Sequence, residues 1–232
     1  MTKPCAIVLA GGFGTRLGDI TKSTPKPLVD VAGRPFLEFV LDALIEQGVE
    51  QAIFSLSFLK EQFIEHFGKQ YKSLHIQYAI EDDPLGTGGG ISNAIRCDKL
   101  KHQHYLVVNG DTSVEFDLAK MLSIHTRQHA HLTMLTRYMD DTDRYGRVET
   151  HENMLTGFAE KQSGAPGSIN SGIYLIDNAQ CKLDEIDGVY SFEKDYLEKY
   201  VGQGNFSFAQ ADGYFIDIGI PADLARAKRD FA

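Results

Sequence analysis

Four short apolar runs, Cys5–Ala10, Gln51–Ser57, Leu74–Ile80 and Tyr105–Asn109, alternate with segments of helical period in the first half of this 232-residue chain. Phe36, Phe39, Val40, Ala43 and Leu44 recur at helical spacing before Gly48 ends the helix. Phe63, Ile64 and Phe67 mark one face of a second helix over Lys60–Phe67, and Gly90–Arg96 reads as a third, short one. A βαβαβαβ order predicts a mostly parallel sheet with helices on both faces. After Asp117 the pattern is mixed: a helix over Leu118–Gln128, then strand-like runs at His131–Arg137, Arg147–Thr150, Leu155–Glu160 and Ile169–Ile176. A helix near Phe192–Tyr200, a strand pair at Phe206–Ala211 and Gly213–Ile218, and a helix from Pro221 complete the reading. No linker, low-complexity tract or internal repeat interrupts it. The expectation is one α/β domain over residues 1–232, with a Rossmann-like mixed, mostly parallel sheet flanked by helices.

Charge narrows the partners. The 23 Lys and Arg against 32 Asp and Glu leave a net charge of −9. Nucleic acid and anionic membranes favour basic surface, so neither is expected as a partner. A small anionic substrate needs only a few local cations. Cys5–Ala10 is short and runs straight into glycines, so it reads as a strand, with no signal peptide, and no apolar run reaches membrane-spanning length. Cys5, Cys97 and Cys181 are odd in number and form no CxxC pair, which points to reduced thiols in a cytoplasmic protein. Cys5 and Cys97 are expected to pack as small hydrophobes.

The first strand runs into Leu9-Ala10-Gly11-Gly12-Phe13-Gly14-Thr15-Arg16-Leu17. Glycines there allow close backbone approach and positive φ, and successive exposed N–H groups form an anion-binding concavity. The GxGxxG dinucleotide pattern fits at Gly12 and Gly14 but fails at Leu17, and no GK[ST] follows as a Walker loop requires. By itself the loop is compatible with a structural turn or an anion site. Arg16 adds a fork matched to phosphate oxygens. Thr24-Pro25-Lys26-Pro27-Leu28 then holds Lys26 between two prolines, on a segment expected to be stiff and extended and suited to stabilising a triphosphate.

Further segments follow in order: Glu81-Asp82-Asp83-Pro84-Leu85-Gly86-Thr87-Gly88-Gly89-Gly90, Asn109-Gly110-Asp111, Tyr145-Gly146-Arg147-Val148 and Phe158-Ala159-Glu160-Lys161. Ile169-Asn170-Ser171-Gly172-Ile173-Tyr174 and Phe215-Ile216-Asp217-Ile218-Gly219-Ile220-Pro221 complete the series. With these the chain resembles the sugar-1-phosphate nucleotidyltransferase family along nearly its whole length. Within the family it looks most similar to the D-glycero-α-D-manno-heptose 1-phosphate guanylyltransferases, through Ile80–Gly89, Ser191–Asp195 and Gly213–Pro221. The mannose-, glucose- and muramate-type guanylyl- and uridylyltransferases share much of the pattern. Gly90 departs from it, alanine being commoner there, a change expected to matter little.

The resemblance implies a nucleotide-diphospho-sugar transferase fold, with a nucleotide-binding half over about 1–116 and a sugar-phosphate half over about 117–232. It implies transfer of GMP from GTP to a sugar 1-phosphate with release of pyrophosphate, and Mg2+ held by Asp111 and Asp217. The residues support the metal independently. Asp111 follows an apolar strand at the edge where ligands of open α/β sheets bind, and Asp217 lies in an apolar run where its charge needs a cation. Arg16, Lys26 and Asp111 are the expected catalytic residues. Leu9, Ala10, Gly11, Gly12, Gly14, Thr15, Arg16, Glu81, Gly86, Thr87 and Asn109 are the expected nucleotide contacts, and Gly146, Glu160, Lys161 and Asn170 the sugar-phosphate contacts. By its alignment Glu81 falls at the base, and a carboxylate, which only accepts, suits the adjacent N1–H and N2–H₂ donors of guanine. A homodimer is compatible with the sequence, which does not fix the oligomeric state. With the last segment so near the C-terminus, a transferase module alone is expected.

Other signals carry less. His125 and His129, four apart on a helix, and nearby His131 lack a further ligand in register and read as surface histidines. Asp141-Thr142-Asp143 matches the DxD of metal-dependent glycosyltransferases but lies in a polar stretch, as a surface loop would. A nucleotide-dependent oxidoreductase is disfavoured by the failed third glycine. A non-catalytic sugar-nucleotide sensor is disfavoured by the joint presence of Arg16, Lys26, Asp111, Lys161 and Asp217.

Overall fold

The structure, a computed structural model, describes residues 3–12, 14–159 and 165–232. Strand Cys5–Leu9 lies at its centre, paired in parallel with Gln51–Leu56 on one side and His104–Asn109 on the other. Leu74–Ile80 extends the parallel block beyond Gln51–Leu56, and the short strand Gln70–Tyr71 closes that edge antiparallel. Beyond His104–Asn109 the pairing changes. Gly167–Asp177 runs antiparallel to it, Leu132–Met139 antiparallel to that, and Phe206–Gln210 parallel to Leu132–Met139. Met154–Ala159 and Arg147–His151 complete a ten-stranded sheet. The parallel block is what the βαβαβαβ pattern predicts, and the elaborated second half makes the whole sheet mixed.

Strand periodicity sorts the core. Ala6 and Val8 face one side and pack with Phe36, Leu37, Val40, Leu41 and Leu44 of helix Phe36–Glu46. Cys5 and Ile7 face the other side and pack with Ile91, Ala94 and Ile95 of helix Gly86–Cys97. With both faces covered, the central strands can be apolar throughout, as the sequence is.

Several expectations change. The third helix begins at Gly86, so its four glycines lie inside the first turns. The runs near 206 and 215 do not pair with each other: Phe206–Gln210 joins the main sheet, while Phe215–Asp217 forms a ribbon with Thr112–Val114. Lys26 does not lie on an extended segment. Thr24 and Pro25 are extended, and Lys26 then opens a single 3₁₀ turn over Lys26–Leu28. Phe192–Leu197 winds as a π-helix before Glu198–Tyr200. Ile64 is exposed while Phe63 and Phe67 are buried. His125 is buried, its Nδ1 2.8 Å from Thr133 Oγ1, because helix Leu118–Arg127 turns that face onto the sheet. Cys5 is buried as expected, but Cys97, at the last turn of its helix, is exposed. Asp141 and Asp143 lie on an exposed loop, as read.

Candidate active site

The four parallel strands end on one edge, and the residues that follow them line one cleft. Its larger lobe, about 280 Å³, is walled by Leu9, Gly11 and Gly12 from the first strand end, Ser55 from the second, Glu81 and Pro84 from the third, and Asn109 and Asp111 from the fourth. Gly86 and Thr87 complete it. A smaller lobe of about 220 Å³ shares Leu9, Gly12 and Asp111 and adds Ala10, Gly14, Thr15, Arg16 and Lys26. The structure therefore gathers the expected nucleotide contacts around one two-lobed cleft.

Each glycine of the first loop answers a different constraint. A Cβ at Gly11 would press on the Ser57 backbone at 3.0 Å. At Gly12 it would meet nothing within 4 Å, so this backbone lies open to the cleft. Gly14 has φ +62° and lies against Lys26 and Thr21. Ala10 N–H is spent on Ser55 O, whereas the amides of Gly12, Gly14, Thr15 and Arg16 find no backbone acceptor among the described residues. N–H groups left without a backbone acceptor among the described residues, beside an exposed arginine, are an arrangement that can receive an anion.

Opposite it, Lys26 Nζ lies 2.6 Å from Asp111 Oδ2 and 3.2 Å from Asp217 Oδ1. The two aspartates meet because the ribbon sets Asp217 opposite Thr112 and Ile218 N–H donates to Asp111 O at 3.1 Å. Gly219 leaves room, since a Cβ there would stand 2.9 Å from Asp217 Oδ1 and 3.3 Å from Lys26 Nζ. Burial would lower the Lys26 pKa, but Asp111 and Asp217 outweigh it and hold the ammonium above its ordinary value. Asp217 goes the other way: burial and then the charge of Asp111 raise it, against the pull of Lys26 and Arg16. Two carboxylates that repel one another across a single lysine form a pair that a further cation would relax. No third His, Cys, Asp or Glu joins them to make a metal-binding group among the described residues. That donor set fits magnesium, which takes one or two carboxylates and completes its shell with water and phosphate oxygens.

Glu81 is buried just beyond its strand. Ser55 Oγ donates to its Oε1 at 2.7 Å and Leu85 N–H to its Oε2 at 2.9 Å. Gly90 matters more than expected. A Cβ there would lie 2.6 Å from Ser55 Oγ and 2.9 Å from Glu81 Oε1, so an alanine would make these side chains shift.

The other glycines of that helix serve packing. Tyr190 O accepts from Gly88 N–H at 3.0 Å and from Gly89 N–H at 3.4 Å, and the Tyr190 ring covers Gly88. This helix start is therefore capped by protein. Thr87 lines the cleft, but its hydroxyl already donates to Glu193 Oε2 at 2.6 Å and accepts from Phe192 N–H at 2.9 Å.

Gly146 and Asn170 are neighbours: Asn170 N–H donates to Gly146 O at 2.9 Å. Asn170 sits where the long strand slips register against Leu132–Met139, between Asn170 and Tyr174, with Gly172 at φ +79° beside Asn109. Such a bulge re-aims side chains. Its amide also donates to Tyr174 Oη at 2.5 Å. Neither Gly146 nor Asn170 lines the two lobes above. Glu160 and Lys161 lie outside the described residues. Ser55, Tyr190 and Glu193 were not among the expected site residues. Glu193 lies within the Ser191–Asp195 segment of the resemblance, and Ser55 carried a signal as a polar residue inside an apolar run.

Fold and cleft together place a glycine loop, an arginine and a carboxylate pair at the carboxyl edge of an α/β sheet. The chain belongs to the nucleotidyl transferase family, whose profile matches residues 5–232. It is 38% identical over 225 residues to the D-glycero-alpha-D-manno-heptose 1-phosphate guanylyltransferase of Aneurinibacillus thermoaerophilus, covering 97% of each chain. It is 36% identical to the protein of that name from Campylobacter jejuni, over 94% of this chain and 96% of the relative. Among solved structures, HddC from Yersinia pseudotuberculosis complexed with GMP-PN superposes with a TM-score of 0.85 at 35% identity, covering 99% of this chain and 100% of that one.

Proposed function

We propose that this nucleotidyltransferase is a guanylyltransferase that transfers GMP from GTP to D-glycero-α-D-manno-heptose 1-phosphate, releasing pyrophosphate. The observation that carries the reading is Glu81, a buried pure acceptor in the larger lobe of the cleft, suited to the N1–H and N2–H₂ edge of guanine. The names of the two heptose relatives and the GMP-PN complex of the Yersinia structure support it. In this reading residues 1–116 or so hold the nucleotide and the remainder holds the sugar phosphate.

The sugar phosphate is anionic at neutral pH, so its oxygen attacks the α-phosphorus without a protein nucleophile, the bond to the β-phosphate oxygen breaks, and pyrophosphate leaves. Catalysis then rests on positioning and charge. The glycine loop, through the N–H groups of Gly12, Gly14, Thr15 and Arg16, and the Arg16 guanidinium hold the β- and γ-phosphates. Lys26 has three N–H donors, two of them engaged by Asp111 and Asp217, and turns the third to the phosphate under attack. Asp111 and Asp217 would hold Mg2+, which would neutralise charge gathering on the phosphates. Gly146, Glu160 and Asn170 bind sugar hydroxyls, and Lys161 binds the sugar phosphate. The reaction is assigned to the cytoplasm, in keeping with three free cysteine thiols.

The test is pyrophosphate release in a matrix of four ribonucleoside triphosphates against heptose, mannose and glucose 1-phosphates. GTP with the heptose should turn over fastest, and chelation by EDTA should abolish turnover until magnesium is restored. Activity confined to UTP would sink the guanine assignment.

A further inference from the structure

Glutamate is a poor reader of a base unless its carboxylate plane is held. Its terminal torsion is broad, and both oxygens must face the two adjacent donors of guanine at once. In this protein both oxygens are tethered. Ser55 Oγ donates to Oε1 at 2.7 Å and Leu85 N–H donates to Oε2 at 2.9 Å. The second tether is backbone, supplied because the chain turns back after the strand. The first is a side chain, 2% exposed, set on the neighbouring strand where Ser55 registers with Ala79, two residues before Glu81. Each oxygen keeps a second lone pair, and Glu81 lines the cavity. The far side of the tether is left open by Gly90, where a Cβ would stand 2.6 Å from Ser55 Oγ. A glycine inside a helix is less favourable than alanine, and here it leaves room for this one hydrogen bond.

We infer that Ser55 is a specificity-determining positioning residue, whose hydroxyl fixes the plane of the Glu81 carboxylate so that the site favours a purine bearing both N1–H and a 2-amino group. The inference rests on the base-reading role given to Glu81 above. Ser55 acts through Glu81 and takes no part in the transfer itself.

The experiment compares GTP with ITP, which keeps N1–H and lacks the 2-amino group, at saturating magnesium and sugar 1-phosphate. Ser55→Ala deletes the tether, and Ser55→Cys keeps its volume while offering only a weak donor. Both variants should lower the GTP-over-ITP ratio of kcat/KM by about tenfold, comparable to the lower end of what orienting hydrogen bonds are worth behind metal ligands. The loss should fall on the KM for GTP, with kcat held within about twofold, as for an interaction that binds ground and transition states alike. Thermal melts show whether each variant is folded. Glu81→Gln separates the two levels of the argument. If it abolishes the preference for GTP while both Ser55 variants keep the wild-type ratio, the positioning role is wrong and the base reading stands. If Glu81→Gln itself keeps the ratio, the base reading falls and the positioning role with it.

Discussion

Lys26 faces two carboxylates that lie 85 and 191 positions away along the chain, and its ammonium offsets their mutual repulsion. The lysine is 6% exposed, so its charge is held away from solvent. Replacing it with methionine keeps much of the stem and removes the charge, which leaves Asp111 and Asp217 repelling one another. We expect Lys26→Met to lower kcat/KM by about 10²–10³-fold, the usual loss for a preorganised electrostatic contact, measured by pyrophosphate release. Thermal unfolding should show a loss of about 1–3 kcal/mol, less than for a fully buried pair because both aspartates keep some contact with water. A variant as active as the native protein would remove Lys26 from the chemistry. The sequence presented this lysine between two prolines and so marked it as held in place. The two partners were not legible there, because a contact spanning 191 positions leaves no local pattern.

At the scale of elements, helix Gly86–Cys97 is the instructive case. Its glycine-rich start carries two of the expected nucleotide contacts, Gly86 and Thr87, while Tyr190 caps the amides of Gly88 and Gly89 and lays a ring on Gly88. The glycines exist because three different neighbours approach closely: Tyr190, Gly188 and the Ser55–Glu81 pair. Gly88→Ala gains helix propensity but drives a methyl into the Tyr190 ring. We expect a net destabilisation of about 1–3 kcal/mol, typical of overpacking, seen as a lowered urea midpoint. Tyr190→Leu should recover part of the loss in a double-mutant cycle, and additive effects would show that the two residues do not share this contact. The existence of this helix was legible in the sequence, but its start was misplaced by four residues, from Gly86 to Gly90. Glycine propensity argues against helix, and tertiary packing overrides it.

For the whole molecule, a second buried polar cluster sits away from the cleft. His104 and His125 stand with ring centroids 5.5 Å apart, both buried, and His104 Nδ1 and His125 Nε2 have no hydrogen-bond partner among the described residues. Burial lowers the His104 pKa, and burial followed by the charge of His104 lowers that of His125 to about 4. The folded state therefore disfavours the protonated rings. Their stabilising contribution is complete above the unfolded value near 6.5 and is lost as pH falls towards the folded value. The melting temperature should decline as pH drops from 6.5 to 4.5, and His125→Gln should flatten that decline. A profile of unchanged slope in the variant would remove His125 as the source. The surface reading of His125 missed this, because a histidine on a helix carries no mark of which face turns inward.

What the sequence determined by itself was the order of elements and the chemistry at the strand ends: apolar runs with turn signals make strands, and the residues that follow them are local facts. It could therefore name the glycine loop and Lys26 and, with the family resemblance, Asp111, Asp217 and Glu81. Only the tertiary structure decided which of these stand within hydrogen-bonding distance. The Thr112–Val114 and Phe215–Asp217 ribbon brings the aspartates together, the slipped register at Asn170 brings that residue beside Gly146, and Ser55 reaches Glu81 across adjacent strands. Each depends on pairing between distant segments, and such pairing is set by global packing that no short window of sequence contains.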